Sequence, residues 1–575
     1  MVTDTDSNLE LRCYCNKTYQ NEVSFRRHSR TCRTADEDCR SFLRIIACLD
    51  PRPVPGDMFY RCLFPLQFWN EKGNESSHHV FKLEVIFDSL ERLQKAIDAA
   101  VAATALTITR GAVPEIDGSP WWISRYFYLP LTARSVIRND LAGQYIAYPP
   151  LKRWEFEATK VVINSFPLPD LDPCFLQRGP AFAPFLAPLT SALPTHRLHP
   201  SEVPRVIEVC ISSTTFGDPS TKEVALKTAH HLASQITPSY LDASVQCCRM
   251  RVQLLLTGPG FTITPLFDHS NTGNRANAQK AEYLLLLSQE CIERDEVSRA
   301  WEFLQKWTPL HAAQPSALES IMSSRIDLMK GKMLRFQGKF TDARQYLEPL
   351  VHQYPAPRSQ FLSRIHLIAV YCELGLWDKA HAIIESTAAE AITEQQQRIL
   401  QLTTAEYHLA RALSITPNRD DLDTAMELLV YLSQKYMALQ PQSQARKRNY
   451  FRVCVGLAMV QHMQLRRHPA SSFRTLGEWM IASWACRGSI SASADGGFPR
   501  VICLLSMAEI KCRSPDLPDQ VLPDVDISHA REIWSCLTRQ NSNQRFIFTN
   551  LGTRWATAVC GWLKEFGKPD ILAIE

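Results

Sequence analysis

No run of about eighteen apolar residues occurs anywhere in this 575-residue chain, so no membrane span is expected. The opening stretch, MVTDTDSNLE, is acidic and polar and lacks the apolar core of a secretory signal. An excess of one charge is missing too. Sixty-three Lys and Arg stand against 59 Asp and Glu, a net charge of +4, so any nucleic-acid contact has to be local. Short catalytic signatures are absent: there is no HExxH, no GxSxG and no CxxC pair, and the GPGF at Gly258 lacks the lysine and helix of a phosphate-binding loop. Eighteen cysteines are scattered with no framework spacing beyond the N-terminus. Together these features point to a reducing compartment. Cys210, Cys247, Cys248, Cys372, Cys454 and Cys560 are therefore expected as small core residues. The sequence shows no small-molecule substrate and reads as a non-enzyme. A catalytic site would have to lie in residues 51–205, as a deep pocket lined by converging ionisable side chains.

What is present is a globular composition, 45% hydrophobic and 21% charged, with enough length for three or four domains' worth of core. The acidic triplets Asp170 to Asp172 and Asp524 to Asp526 lie among prolines and read as solvated loop acids. The neighbouring pairs His78-His79 and His230-His231 diverge on any regular backbone and are poor chelators. Arg446, Lys447 and Arg448, with Arg466 and Arg467, read as a solvated helix face or a contact for phosphate or acidic peptide.

One constellation reads as metal chemistry. In LRCYCNKTYQNEVSFRRHSRTCR, Cys15 is followed after three residues by Tyr19, after five more by Phe25, after two by His28 and after three by Cys32. Zinc takes four such ligands in a tetrahedron, and a ββα unit this small needs the metal to fold. His28 and Cys32, four apart, share one helix face. Cys13 and Cys15 would come from the preceding hairpin, and Tyr19 and Phe25 would form the core. The stretch resembles a two-cysteine, two-histidine zinc finger in its Cys-Cys-His-Cys variant. It departs from that pattern in having one residue, not two to four, between Cys13 and Cys15. The resemblance implies a structural zinc ion held by Cys13, Cys15, His28 and Cys32, with Asn21, Ser24 and Arg27 at the base-reading positions. Arg26 and Arg30, with Arg12, Lys17 and Arg33, would face phosphates. One finger covers only about three base pairs, so contact with a protein is the competing use of the same surface.

Residues 51–205 hold 18 of the 35 prolines, with many aromatics between them. Proline fixes φ and removes a donor, which predicts extended chain draped on a folded body rather than long helices. A helix is predicted from Asp88 to Ala103, with Asp88 as N-cap and Leu90, Leu93, Ile97 and Val101 on one face. A second is read through RSVIRNDLAGQYIAY.

Beyond about residue 222 helix signals dominate and repeat. Gly331, Leu334, Gly338, Phe340, Ala343, Leu347 and Pro355 stand at the offsets of a tetratricopeptide repeat (TPR), which this unit resembles. Small residues at Gly331 and Ala343 let two antiparallel helices approach, Gly338 permits the turn, and Pro355 ends the second helix. Tyr371, Gly375, Trp377, Ala380 and Ile384 repeat the plan, with Ala380 lying 37 residues after Ala343. Weaker copies surround Ala300 and Ala425. A stacked solenoid is expected, the competing architecture being a non-repetitive helical bundle. After residue 450 helices continue without a clear repeat, and the segment with Trp555, Trp562 and Leu563 reads as the capping end.

The expected fold is mainly α: a TPR-like α-solenoid with a small N-terminal ββα zinc finger and a Pro/aromatic-rich mixed region. The expected order is a finger over 1–45, the Pro/aromatic-rich region over 46–205, repeats over 206–450 and a C-terminal helical bundle or cap over 451–575. A lone finger before a large helical body resembles regulators of filamentous fungi, although their six-cysteine cluster is absent. That resemblance implies a nuclear transcription regulator binding partner proteins through its repeats, and DNA or protein through its finger. The alternative is a cytosolic scaffold or accessory factor of a metabolic pathway with a vestigial finger.

Overall fold

The computed structural model describes residues 11–12, 18–19, 37–78, 81, 83, 85–102, 106–110, 119–142, 150–191, 198–235, 239–257, 273–294, 296–352, 357–390, 393–414, 419–439, 444–467, 472–489, 497–514, 522–540 and 551–572. Among them are 22 α-helices and seven short strands, so the chain is mainly helical. It divides into two compact units, one of Met1–Asn70 with Asn74–Cys248, the other of Glu71–Gly73 with Arg249–Glu575.

The first unit begins with β1 (Leu11–Arg12) and β2 (Thr18–Tyr19), an antiparallel pair with Leu11 opposite Tyr19 and Arg12 opposite Thr18. Then follow α1 (Glu37–Cys48), β3 (Val54–Pro55), α2 (Gly56–Arg61), β4 (Leu66–Trp69), β5 (Glu75–His78), α3 (Leu90–Ala102), β6 (Thr107–Arg110), β7 (Arg125–Tyr128) and α4 (Leu131–Ala142). Helices α5 (Pro150–Ser165), α6 (Phe175–Ser191), α7 (Val203–Ser213), α8 (Pro219–Ala233) and α9 (Ser239–Thr257) complete the run. Strands β3, β7 and β6 form one antiparallel sheet, in which Val54 faces Phe127 and Thr107 faces Tyr128. Strands β4 and β5 pair as a hairpin. Phe42 of α1 meets Phe59 edge-on at 4.9 Å and Phe127 at 5.9 Å, and all three are fully buried. These contacts tie the proline-rich stretch into a packed core, where extended chain had been expected.

Helix α6 departs most from expectation, since it contains Pro180, Pro184 and Pro188. Each proline forfeits a backbone bond to the residue four before it. Here the prolines are four apart, so the lost bonds fall on one side of the helix. Pro180 is exposed and Pro184 half-buried, whereas Phe182, Phe185 and Leu186 are buried. Water therefore reaches the face that lost its bonds. Gly179 of the same helix lies against Phe216, whose ring carbon would stand 2.0 Å from any added Cβ. Helix α3 starts later than predicted. Ser89 caps it by accepting from the Arg92 N–H at 3.2 Å, Leu93, Ala96, Ile97 and Ala100 are buried, and Leu90 is exposed. Val206, Cys210, Ala229 and Val245 join the first unit's core, although residues from 206 onward were expected among the repeats; α1 likewise extends into that core from within the expected finger domain.

The second unit is a succession of helical hairpins: α10 (Asn274–Glu293) with α11 (Val297–Gln305), α12 (Ala317–Phe336) with α13 (Phe340–His352), α14 (Pro357–Leu374) with α15 (Trp377–Glu390), and α16 (Glu394–Ala412) with α17 (Arg419–Ala438). Next come α18 (Gln444–Arg467) with α19 (Ser472–Ser489), α20 (Gly497–Arg513) with α21 (Pro523–Gln540), and α22 (Gly552–Lys564) against α20. The first helices of neighbouring hairpins touch in turn, α10 with α12, α12 with α14, α14 with α16 and α16 with α18. One continuous core runs from Leu334 to Ile571. Each hairpin thereby buries the apolar face that it could not bury alone.

Candidate functional site

The residues read as repeat packing positions come together. Gly331 of α12 faces Leu347 of α13 so closely that an added Cβ would lie 2.7 Å from its side chain. Ala343 and Ala380 are fully buried, as are Ala300 and Ala425 in the flanking hairpins. Gly338 and Gly375 both have φ of +74°, a conformation that favours glycine. Around them Lys339 N–H donates to the Leu334 carbonyl and Leu376 N–H to the Tyr371 carbonyl, each at 2.9 Å, closing both helix ends alike. The Tyr371 hydroxyl donates to Glu348 at 2.5 Å. Pro355 lies outside the described residues, as do Cys13, Cys15, Asn21, Ser24, Arg26, Arg27, His28, Arg30 and Cys32. Of the finger, only the pairing of β1 with β2 is described. Among the described residues no three His, Cys, Asp or Glu side chains converge as a metal site, and no helix is long and apolar enough to cross a membrane.

The cysteines expected in the core are there. Cys210, Cys247, Cys248, Cys372, Cys454 and Cys560 are buried, and burial pushes the Cys210 and Cys560 thiols up to about 12. Both acidic triplets depart from the solvated reading, because each buries one side chain against a basic partner. Asp172 is buried with Arg61 at 2.6 Å and Arg178 at 3.1 Å, and Asp526 is buried with Lys511 at 2.5 Å. Arg466 is no solvated-face residue either; it binds Glu509 at 2.6 Å and Glu565 at 3.0 Å.

The first unit contains a cavity of about 330 Å³, lined from within the proline-rich stretch. Gly56 begins α2 so close to the Trp122 carbonyl oxygen that an added Cβ would stand 2.0 Å from it. That approach sets Asp57 and Arg61, on the next turn, at the cavity. Arg178 comes from α6, Arg205 from α7, and Asp172 from the loop before α6. Arg178 binds Asp57 through Nε at 2.7 Å and Asp172 through Nη1. Arg61 binds Asp172 and also donates from Nε to the Ser165 carbonyl at 2.6 Å. Burial pushes the Asp57 carboxyl above its usual range, against the pull of Arg178 and Arg61. Tyr60, Phe64, Ile123, Phe166 and Leu171 supply apolar wall.

Chemically this arrangement holds charge. Both carboxylates are committed to guanidinium groups, leaving Arg205 as the cavity's uncompensated ion. The sequence hid the site because its charges, from Asp57 to Arg205, are spread over four chain segments and follow no spacing. The nearest signal was Asp172 among prolines with Arg178 six residues on, a local pair that marks one edge of the site.

A different feature marks the second unit. On α19, Phe473, Met480, Ile481 and Trp484 share one helix face and are exposed, Phe473 at 71% and Trp484 at 74%. Gly477, between them, has nothing within 4 Å of its Cβ position.

No protein-family model matches this sequence, and no curated protein matches it, so the functional reading rests on the chain's own residues.

Proposed function

We propose that this chain is a non-enzymatic regulatory or adaptor protein, a nuclear transcription regulator in which TPR-like hairpins bind partner proteins and an N-terminal zinc finger contacts DNA or protein. The observation that carries the reading is the exposed stripe of Phe473, Met480, Ile481 and Trp484. Contiguous exposed apolar surface costs solubility unless it has a partner, and tryptophan is the residue most often central to protein interfaces. On this reading the partner surface includes α19, a later hairpin helix of the same stack. The stacking of first helices from α10 to α18 supports the solenoid. Support for the finger comes from the β1–β2 pairing, where a ββα unit has its hairpin, and from the spacing of Cys13, Cys15, His28 and Cys32.

The test is proximity labelling in cells with the wild type and a Phe473→Ser, Trp484→Ser double variant. Neighbours labelled by the wild type should be lost from the variant, with unchanged thermal melting, since both side chains face solvent. Identical neighbour sets would overturn the reading. Zinc content and nuclear staining of Cys32→Ser beside the wild type address the finger. A zinc-free, cytosolic wild type would leave the scaffold alternative.

A further inference from the structure

We infer that the cavity of the first unit binds a small organic monoanion, an apolar body bearing one carboxylate, whose head group pairs with Arg205. Charge balance leads there. Arg61, Arg178 and Arg205 line the cavity with Asp57 and Asp172, three cations against two anions. Arg178 spans both carboxylates and Arg61 takes Asp172, so the excess falls on Arg205.

Arg205 is 4% exposed, and its Nη2 donates to the Phe166 carbonyl at 2.7 Å and the Ile163 carbonyl at 3.3 Å. These bonds satisfy carbonyls at the C-terminal end of α5, a common structural use of arginine. That use occupies one nitrogen; Nε and Nη1 have no hydrogen-bond partner. Burial, with Arg61 as the neighbouring charge, brings this guanidinium down to about 9. Arg134 offers a contrast in the same unit. It also closes a helix end, but engages both terminal nitrogens, Nη1 with the Ala47 and Leu49 carbonyls and Nη2 with that of Asp50. A buried cation is expensive unless paired, and a ligand carboxylate supplies the pair.

The rest of the lining selects the body of the ligand. Tyr60, Phe64, Ile123, Phe166, Leu168 and Leu171 form apolar wall in a volume suited to a small molecule. A metal cation is disfavoured by the positive excess. A phosphate dianion would exceed the one missing charge and leave the apolar wall wet. The site belongs to the first unit and does not depend on partner binding by the second.

Isothermal titration of the full chain with benzoate tests this, with benzamide as the neutral isostere and inorganic phosphate as the anion without an apolar body. Benzoate should bind, and both others should bind at least about tenfold more weakly, the loss expected for one charge-assisted contact. Arg205→Leu should weaken benzoate by a similar factor. Because that change also removes a helix cap, Leu171→Trp, which fills the cavity and keeps the guanidinium, provides a second route to the same loss. The inference is overturned if benzoate gives no binding heat, if benzamide matches it, if phosphate binds more tightly, or if a folded variant binds benzoate like the wild type.

Discussion

In the second unit Arg452 meets Glu406 through two hydrogen bonds of 2.9 and 2.6 Å, and fully buried His462 meets fully buried Glu509 at 2.7 Å. Glu509 also receives Arg466 and Arg513, inside a cage where Trp479, Trp555 and Trp562 surround the His462 ring. In the first unit Arg205 is buried with no carboxylate of its own. The contrast separates two uses of buried charge. Charges that join successive helices of a stack are closed by other helices and hold register. A charge left open beside a cavity is closed only by something from outside the chain.

The largest expected effect tests whether each unit has its own core. Trp555→Ala removes a fully buried side chain and the hydrogen bond from its Nε1 to Ser506 at 2.9 Å, and should cost about 3–5 kcal/mol. Phe59→Ala should do comparable damage in the first unit. Hydrogen exchange should show faster amides within 249–575 for the first variant and within 37–248 for the second. Acceleration in both units from either change would break the comparison.

Next in size is the Glu509 network. Burial alone would raise this carboxyl, but its bonds to His462 and Arg513 hold it down at about 2, below the ordinary value of 4.5. A carboxyl held low in the folded state contributes stability that is present above pH 4.5 and lost as pH falls towards 2. His462, which burial pushes below its ordinary value, acts in the same direction, because the unfolded chain takes up the proton first. The unfolding free energy from denaturant titration should therefore fall on acidification, by about 3 kcal/mol for Glu509 alone. Glu509→Gln should cost about 3 kcal/mol at neutral pH and flatten that dependence. An unchanged acid limb in the variant would refute the assignment.

The smallest effect sharpens the repeat register. Gly338→Ala meets no atom within 4 Å, so its cost is the left-handed backbone alone, about 1 kcal/mol, read as a modest fall in melting temperature. Gly375→Ala, at the equivalent turn, should match it. An added Cβ at Gly375 also touches Arg554 Nη2 at 3.4 Å, so only a cost at Gly375 below that at Gly338 would mean that the turns are not equivalent.

Local patterns were legible where the chain's chemistry is local. The turns at Gly338 and Gly375, the small contacts at Gly331, Ala343 and Ala380, and the buried cysteines follow from residues within one hairpin or from composition. Helix α6 was misread because proline was weighed one residue at a time, whereas its cost depends on which face loses the bond. The acidic triplets were misread because Asp172 is paired by Arg61 from a distant segment as well as by Arg178 six residues on, and spacing can reveal only the second.

By itself, then, the sequence determined the mainly helical class and the turn and packing residues of the hairpins, because a helical repeat is written in contacts a few residues apart. It also specified the spacing of Cys13, Cys15, His28 and Cys32 that motivates the finger proposal. Only the tertiary structure decided that the proline-rich stretch packs into a core and that the α19 stripe stays uncovered. It also decided that Asp57, Arg61, Asp172, Arg178 and Arg205 meet around one cavity. The reason is physical: burial and pairing of charge depend on which distant segments meet, and no local preference of the chain encodes that.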